Sequence, residues 1–349
     1  MHRFDYSFLV TGLLPANLVN LTSEIYALRE ASITRKDKYK TAFKELEAVA
    51  RIQSVKSSNA IEGIVTSDKR ITEIVSGSSA PLNHTEAEIA GYRDALNLIH
   101  TNYENLSFKE NDILLIHETM TSIAGYEGAG NYKKTDNVIL EVDSGGNRRI
   151  RFKPVSASET PKAMEQLELA YLEACSNGNI NKLLLIPCVI LDFLCIHPFS
   201  DGNGRMSRLL SLLLLYKNGF DAGKYVSFEE QINKYKNLYY DALQQSSSGW
   251  EFNGNNYSPF IQNFIFTLYL CYKELNKRFT ALEGNKNTKK SLVEATVLGS
   301  LHPISKAEIC ALLPDISPTT IEAVLGAMVK EGRIERIGSP RTSKYFRNS

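Results

Sequence analysis

The sequence predicts a mainly helical protein in which one short β-hairpin interrupts a helical core and a smaller module of helices and strands follows. Over most of residues 15–282, apolar side chains recur every three or four positions, which indicates helices with one buried face. Between residues 137 and 155 the pattern changes to alternation around Ser-Gly-Gly, as in a β-hairpin. After residue 290, three short helical patterns precede a strand-turn-strand pattern.

The helices follow from this period together with capping residues and glycines. Residues 15–62 predict two helices, the second ending at Gly63, because glycine accepts the left-handed backbone that closes a helix. Thr85 and Glu88 have the spacing of a capping box at the start of the next helix. The helical stretches expected in order are 21–34, 36–62, 85–103, 109–125, 158–176, 181–197, 204–218, 227–246 and 257–282.

The same patterns divide the chain into four parts. Residues 1–84 form an N-terminal helical region whose last helix covers about 40–63, and residues 85–283 form the helical core. GNKNTKK (284–290) is polar and lacks apolar anchors, so it is interpreted as a linker. Residues 291–349, three helices followed by a basic hairpin, have the layout of a winged helix-turn-helix domain.

Composition excludes several classes of protein. The net charge of +1 over 349 residues gives no global field for a nucleic acid or an acidic partner. The five cysteines form no CxxC pair, which is typical of reduced thiols in a cytoplasmic protein. The most apolar run, residues 183–196, is too short to span a bilayer and contains Pro187 and Asp192, so we expect a buried helix and no membrane association.

Residues 197–208, HPFSDGNGRMSR, concentrate polar chemistry directly after this apolar run. Gly202 and Gly204 flank Asn203 just before a helix, and backbone N–H groups at a helix N-terminus form a cradle for phosphate. Arg205 and Arg208 are three positions apart and share a face of that helix. Two guanidiniums beside such a cradle suggest a polyphosphate ligand.

Two further side chains complete the chemistry of this segment. His197 can take a proton near neutral pH, and Asp201 offers a hard oxygen ligand suited to Mg²⁺ between phosphate oxygens. A base, a metal ligand, a phosphate cradle and two arginines are the parts needed to transfer a phosphate-containing group. The segment therefore predicts an enzyme of the group-transfer class.

HPFSDGNGRMSR resembles the full motif of Fic-domain proteins, HPFx(D/E)GN(G/K)RxxR, with no departure. Upstream, GNYKKTDNVI (130–139) and the hairpin resemble the target-binding flap of that family, and Lys133 stands where an arginine is frequent. The residues this assigns to the flap are Lys133, Asn137, Val138 and Ile139. The helical context from about 85 to 282 fits the all-helical Fic core, so the expected fold class is a Fic-type helical core with a small β-hairpin flap plus a winged helix.

The resemblance implies transfer of AMP from ATP to a Ser, Thr or Tyr hydroxyl of a protein, including the chain itself, with release of pyrophosphate. The implied roles are general base for His197, Mg²⁺ ligand for Asp201, anion hole for Gly202, Asn203 and Gly204, β-phosphate contact for Arg205, γ-phosphate contact for Arg208, and loop anchor for Phe199. Relatives with lysine in place of Gly204 include a phosphorylating branch. Members of the family often dimerise, so a homodimer is an expected partner.

SSNAIEG (57–63) resembles the inhibitory pattern (S/T)xxxE(G/N) of the same family through Ser58, Glu62 and Gly63. Ser58 and Glu62 are one helical turn apart and share a face. We expect the Glu62 carboxylate to pair bidentately with Arg208 and so to block productive ATP binding. Related proteins also remove AMP with this glutamate, and the sequence leaves that reverse activity open.

Other readings remain beside the enzyme. The last twenty residues hold six Lys/Arg, but the helix at 317–331 has few residues that read bases, so a DNA-binding regulator with a nucleotide-sensing Fic domain stays an alternative. A toxin-type module held inactive by Glu62 is another. His117 is expected to be a core-facing histidine hydrogen-bonded within its helix, and the histidines have no zinc-ligand spacing.

Overall fold

The computed structural model describes residues 2–11, 14–142, 148–283, 289–300, 303–314, 316–339 and 343–347. Helices dominate this part of the chain. They are α1 (Ala16–Lys38), α2 (Lys40–Ile61), α3 (Asp68–Ser76), α4 (His84–Asn102), α5 (Glu110–Thr121), α6 (Thr160–Ser176), α7 (Lys182–Ile196), α8 (Asn203–Lys217), α9 (Phe228–Lys234), α10 (Lys236–Ser247), α11 (Ser258–Glu283), α12 (Lys289–Gly299), α13 (Lys306–Leu312) and α14 (Pro318–Lys330). The strands are β1 (Ile139–Val142), β2 (Arg148–Phe152), β3 (Ile304–Ser305), β4 (Ile334–Ile337) and β5 (Lys344–Arg347).

Helices α7 and α8 lie at the centre of the main hydrophobic core, and nearly all of their side chains are buried. The apolar run 183–196 is therefore a buried helix, as its length and its charged residue predicted. Its carboxylate, Asp192, accepts hydrogen bonds from Tyr6 Oη, Trp250 Nε1 and Tyr257 Oη. Among the described residues, none of the helices is long and apolar enough to span a bilayer.

The predicted hairpin is present. Strands β1 and β2 pair antiparallel, with Ile139 opposite Phe152 and an irregularity in register after Ile139. The Ser-Gly-Gly turn itself, in 143–147, lies outside the described residues. The hairpin starts at Ile139, shortly after Asn137, so it begins beside the segment that contacts the predicted site.

The C-terminal helices α12, α13 and α14 enclose a second, smaller core. They pack with a three-stranded sheet of order β3-β5-β4, in which β3 was not predicted. Helix α12 begins at Lys289, inside the predicted linker, whose residues 284–288 lie outside the described part. The mainly helical fold class is thus confirmed, while the winged-helix assignment and the domain boundaries stay predictions.

One helix was missed, and two local predictions were wrong. Helix α3 was missed although Ser67 caps its first turn and Gly77 closes it with a left-handed backbone. Helix α4 is capped by Asn83, whose side chain accepts from the Glu86 N–H, so no capping box exists at Thr85 and Glu88. The helix expected over 227–246 is divided at Tyr235, whose backbone angles (φ −116°, ψ 35°) leave the helical region.

Candidate active site

A short loop between α7 and α8 carries the histidine of the motif. His197 ends α7 in a left-handed conformation with φ 53°, and its N–H donates to Phe193 O. Left-handed backbone is costly for a residue other than glycine, so the surroundings must hold His197 in place. Gly202, with φ 83°, takes the second left-handed position and starts α8. These two residues turn the chain between two buried helices.

The imidazole of His197 is mostly shielded from water. Burial, followed by the positive charge of Lys133, lowers the pKa of His197 to about 4. The ring is therefore neutral at physiological pH, and a neutral imidazole nitrogen can accept a proton. Its Nδ1 lies 3.4 Å from Leu194 O, and because a carbonyl oxygen only accepts, this contact is a hydrogen bond in the tautomer that carries its proton on Nδ1.

Buried polar contacts fix the loop that follows His197. The Asn203 side chain accepts from the Phe199 N–H (3.0 Å) and donates to Phe199 O (2.7 Å). The Phe199 ring is fully buried and stacks on the ring of His117, with 3.7 Å between centroids. The predicted anchoring role of Phe199 agrees with this burial. Since the Asn203 side chain is engaged with Phe199, only the Asn203 backbone N–H would be left for the predicted anion cradle.

His117 contacts the loop from α5. Its Nδ1 accepts from the Gly130 N–H (3.1 Å), which leaves Nε2 to donate to Asp201 O (3.2 Å). Burial lowers the pKa of His117 to about 4, so the neutral ring can hold both partners. The prediction of a core-facing histidine is confirmed, but its partners lie in distant loops rather than in its own helix.

The residues assigned to the flap divide into two kinds. Lys133 is buried: its N–H donates to Pro198 O and its Nζ donates to Ile196 O, on either side of His197. Lys133 Nζ also donates to Asn137 Oδ1, and Asn137 Nδ2 donates to Phe199 O. By contrast, Val138 is exposed and Ile139 half-buried. Lys133 and Asn137 therefore support the loop around His197, whereas Val138 is the exposed member of the set.

The first turn of α8 combines free donors with a guanidinium. The first N–H groups of a helix have no intrahelical acceptor, and they are a natural site for an anion. Arg205 is buried, its Nη2 donating to Glu88 Oε1 (3.0 Å) and lying 3.4 Å from Asp201 Oδ2, while its Nε has no partner. The Asp201 carboxylate is 63% exposed. It is accessible as a cation ligand.

A magnesium site based on Asp201 fits the donors present. Mg²⁺ is commonly held by one or two carboxylates, with substrate phosphates and water completing its shell. In the described part of the chain, no three His, Cys, Asp or Glu side chains gather as a metal cluster. A cation here would therefore rest on Asp201 and on oxygens that the substrate brings.

Arg208 is buried and is bound by the segment resembling the inhibitory pattern. Its Nε donates to Ser58 Oγ (2.8 Å), and its Nη2 donates to Ser58 O (2.9 Å) and to Glu62 Oε1 (2.8 Å). The expected bidentate pairing with Glu62 is thus wrong, because the Ser58 hydroxyl and carbonyl take the other contacts. The pairing of Glu62 with Arg208 itself is present.

The end of α2 places Glu62 against α8. Gly63, with φ 81°, closes α2: the Ile64 N–H donates to Asn59 O and the Gly63 N–H to Ala60 O. Lys236 Nζ donates to Ile61 O (2.7 Å) and holds the same turn from α10. The expectation that Gly63 ends the helix is confirmed.

Sequence reasoning missed the contacts of Glu88, His117 and Lys236 with the site. Each comes from a different helix, at least 80 positions from its partner in the chain. The polar character of Glu88 and Lys236 is ordinary for a helix surface, so no local signal distinguished them. For His117 the signal was its place on an apolar helix face, which indicated burial but not its partner.

These features define a helical protein in which one short loop joins a neutral histidine to the N-terminus of a buried central helix. Residues 107–215 match the Fic/DOC family, and this segment contains His197, Asp201, Arg205 and Arg208. The chain therefore contains a Fic domain.

Relatives and solved structures agree with this assignment. This chain is 29% identical to the protein adenylyltransferase Fic of Nematostella vectensis over 223 residues. The match covers 60% of this chain and 45% of the relative. A Fic family protein from Desulfovibrio desulfuricans has the same fold, with a TM-score of 0.63, 22% identity, and coverage of 97% of this chain and 98% of that one. A Fic domain containing signaling protein from Bacteroides thetaiotaomicron also has this fold, with a TM-score of 0.60 and 20% identity. The match covers 78% of this chain and 100% of that chain.

Proposed function

We propose that this chain is a protein adenylyltransferase, which transfers AMP from ATP to a Ser, Thr or Tyr hydroxyl of a protein, and that Glu62 restrains it. The observation that carries the proposal is that the neutral His197 lies one short loop before the first turn of α8, the helix that carries Arg205 and Arg208. The name of the Nematostella relative supports the same class of reaction.

In the proposed reaction His197 acts as general base. With Nδ1 directed at Leu194 O, the other ring nitrogen, Nε2, accepts the proton of the target hydroxyl. The hydroxyl oxygen bonds to the α-phosphorus, the bond from that phosphorus to the bridging oxygen breaks, and pyrophosphate leaves. The product is a phosphodiester between AMP and the target side chain. The pKa of His197, about 4, keeps Nε2 available across the neutral range.

The phosphates would occupy the first turn of α8. The N–H groups of Asn203, Gly204 and Arg205 point out of this turn, where the helix dipole favours negative charge. We assign the β-phosphate to Arg205 and the γ-phosphate to Arg208. Mg²⁺ held by Asp201 would neutralise charge on the α- and β-phosphates.

The described conformation supports a restrained enzyme. Arg208 is engaged with Ser58 and Glu62, so it is not available to the γ-phosphate. A β-carbon on Gly204 would lie 2.2 Å from Glu62 Oε1, so the carboxylate is in contact with the phosphate-binding turn. The negative charge of the Glu62 carboxylate at this position would repel the phosphates of ATP.

The experiment compares the wild type with Glu62→Gly in the presence of ATP labelled in its α-phosphate. We expect label on the Glu62→Gly protein or on lysate proteins, little label with the wild type, and none with Glu62→Gly/His197→Ala. Mass spectrometry identifies the added group. If Glu62→Gly transfers no label, the adenylyltransferase proposal is wrong. The reverse reaction is tested by adding the wild type to protein already labelled by Glu62→Gly. Loss of label from that protein is the result expected if the wild type removes AMP.

The role of the C-terminal module stays a separate prediction. On α14 the exposed Glu322 pairs with Lys306, so this face carries an acidic side chain where a DNA-reading helix would favour basic ones. A gel-shift assay at two salt concentrations tests DNA binding, and the absence of a complex at low salt would remove this alternative.

A further inference from the structure

Helix α2 faces the core with a polar stripe that is longer than the inhibitory pattern. Ser54, Ser58 and Glu62 lie four residues apart and therefore on one face. The Ser58 and Glu62 side chains contact Arg208, as described above. Ser54, one turn earlier and fully buried, contacts a different charged residue, Glu229 of α9.

Glu229 is a carboxylate with no exposure to solvent. Its Oε2 accepts from Ser54 Oγ (2.7 Å) and Ser227 Oγ (3.2 Å), and its Oε1 accepts from Tyr92 Oη (2.9 Å). The partners that the structure gives to this carboxylate are hydroxyls rather than cations. A buried carboxylate is costly unless its hydrogen bonds are made, so each donor matters to its stability.

The three donors come from three elements. Tyr92 belongs to α4, and Ser227 caps the N-terminus of α9, where its Oγ also accepts from the Glu230 N–H. Both stay with the core if α2 moves. Ser54 alone belongs to α2, so its hydroxyl is the contact that Glu229 loses when α2 shifts or undocks. A displacement by one residue along the helix would turn Ser54 away from this position.

We propose that Glu229 is a positioning residue for the restraint by Glu62. Through Ser54 it fixes the register of α2, and this register places Glu62 and Ser58 in contact with Arg208. This inference rests on the proposed function, because it concerns the regulation of the same site. Glu229 touches neither ATP nor the target in this scheme. It acts on the reaction by setting how firmly α2 is docked.

The decisive variant is Ser54→Ala, with Ser57→Ala as the matched control. Ser57 lies on the same helix and is also buried, but the network of Glu229 does not include it. Loss of a hydrogen bond to a buried charge favours undocking by roughly tenfold or more. We therefore expect self-labelling by Ser54→Ala to exceed that of Ser57→Ala about tenfold, and Glu229→Gln to raise labelling in the same direction.

A second background separates regulation from general destabilisation. In Glu62→Gly the restraint is already removed, so Ser54→Ala should add nothing to the rate of labelling. If Ser54→Ala increases labelling no more than Ser57→Ala does, the inference is wrong. It is equally wrong if Ser54→Ala changes labelling by the same factor in both backgrounds, or lowers it in both, since either result indicates an ordinary structural role.

Hydrogen exchange gives a readout that does not depend on catalysis. Peptides covering residues 54–62 should exchange at least about tenfold faster in Ser54→Ala than in Ser57→Ala, because the docked state of α2 is weakened. Equal exchange in the two variants would overturn the inference. If Glu62→Gly transfers no label but exchange rises as expected, the proposed function fails while the link between Glu229 and α2 stands.

Discussion

Glu62 and Gly204 are so close that a β-carbon on Gly204 would lie 2.2 Å from the Oε1 of Glu62. The carboxylate therefore occupies the space in front of the first turn of α8, where a helix N-terminus favours negative charge. Its Oε1 also accepts from Arg208. Glu62 thus uses the helix field and the guanidinium that a phosphate would use. In the proposed function, restraint and ATP binding would therefore compete for the same two groups.

Gly204→Ala tests this proximity. Real Cβ atoms do not approach an oxygen to 2.2 Å, so the Glu62 carboxylate must move, and loss of its hydrogen bond from Arg208 costs about 1–3 kcal/mol. In Glu62→Gly the obstacle is absent, and alanine, a better helix former than glycine, should be neutral or stabilising there. Denaturant unfolding of the two single variants and the double variant measures the coupling. An equal cost of Gly204→Ala in both backgrounds would contradict the geometry.

The pH dependence of labelling reports on His197. Because burial and then Lys133 lower its pKa to about 4, the ring is neutral above that pH and gains a proton as the pH falls through it. A protonated imidazole cannot accept the hydroxyl proton. We therefore expect initial rates of Glu62→Gly to stay flat from pH 8 down to about pH 5 and to fall below it. An acid limb near pH 6.5, the ordinary pKa of histidine, would show that the ring is not shielded as described.

Lys133→Met removes the charge that contributes to this low pKa and the two Nζ hydrogen bonds, to Asn137 and Ile196 O. In the Glu62→Gly background we expect the acid limb to move to higher pH and the maximal rate to fall about tenfold, because the loop beside His197 loses its support. Lys134→Met, at the exposed neighbouring position, is the control and should match its parent. If Lys133→Met lowers the rate without moving the acid limb, Lys133 supports the loop but does not tune His197.

The sequence predicted those parts of the structure that depend on neighbouring residues. Gly63 ends α2 because a left-handed residue is needed at that step, and the alternation at 137–155 forms strands because side chains alternate across them. The site motif was predictable for the same reason, since base, glycines and arginines lie within twelve residues. Even the missed helix α3 carried local signals in Ser67 and Gly77.

Contacts between distant residues could not be predicted in this way. Glu62 and Arg208 were paired through a family resemblance, and the detail of that pairing was still wrong, since Ser58 O accepts one of the guanidinium contacts. Nothing local distinguishes Glu229 from the adjacent Glu230, although the first is fully buried and the second is not. Burial of a charge depends on which helices pack around it, and that is a property of the whole fold.

Asn203 provides a test of the loop that is independent of Glu62. Asn203→Ala leaves the buried Phe199 N–H without its side-chain partner and leaves Phe199 O with only the Asn137 amide, which should lower the free energy of unfolding by roughly 1–3 kcal/mol. Asn203→Asp separates the two bonds, because a carboxylate accepts from the Phe199 N–H but cannot donate to Phe199 O. Asn218→Ala, which removes an asparagine side chain at the far end of α8 together with its contact to Leu214 O, is the control. Denaturant unfolding should rank Asn203→Ala and Asn203→Asp below Asn218→Ala, and equal stability of the three would mean that Asn203 does not hold the loop.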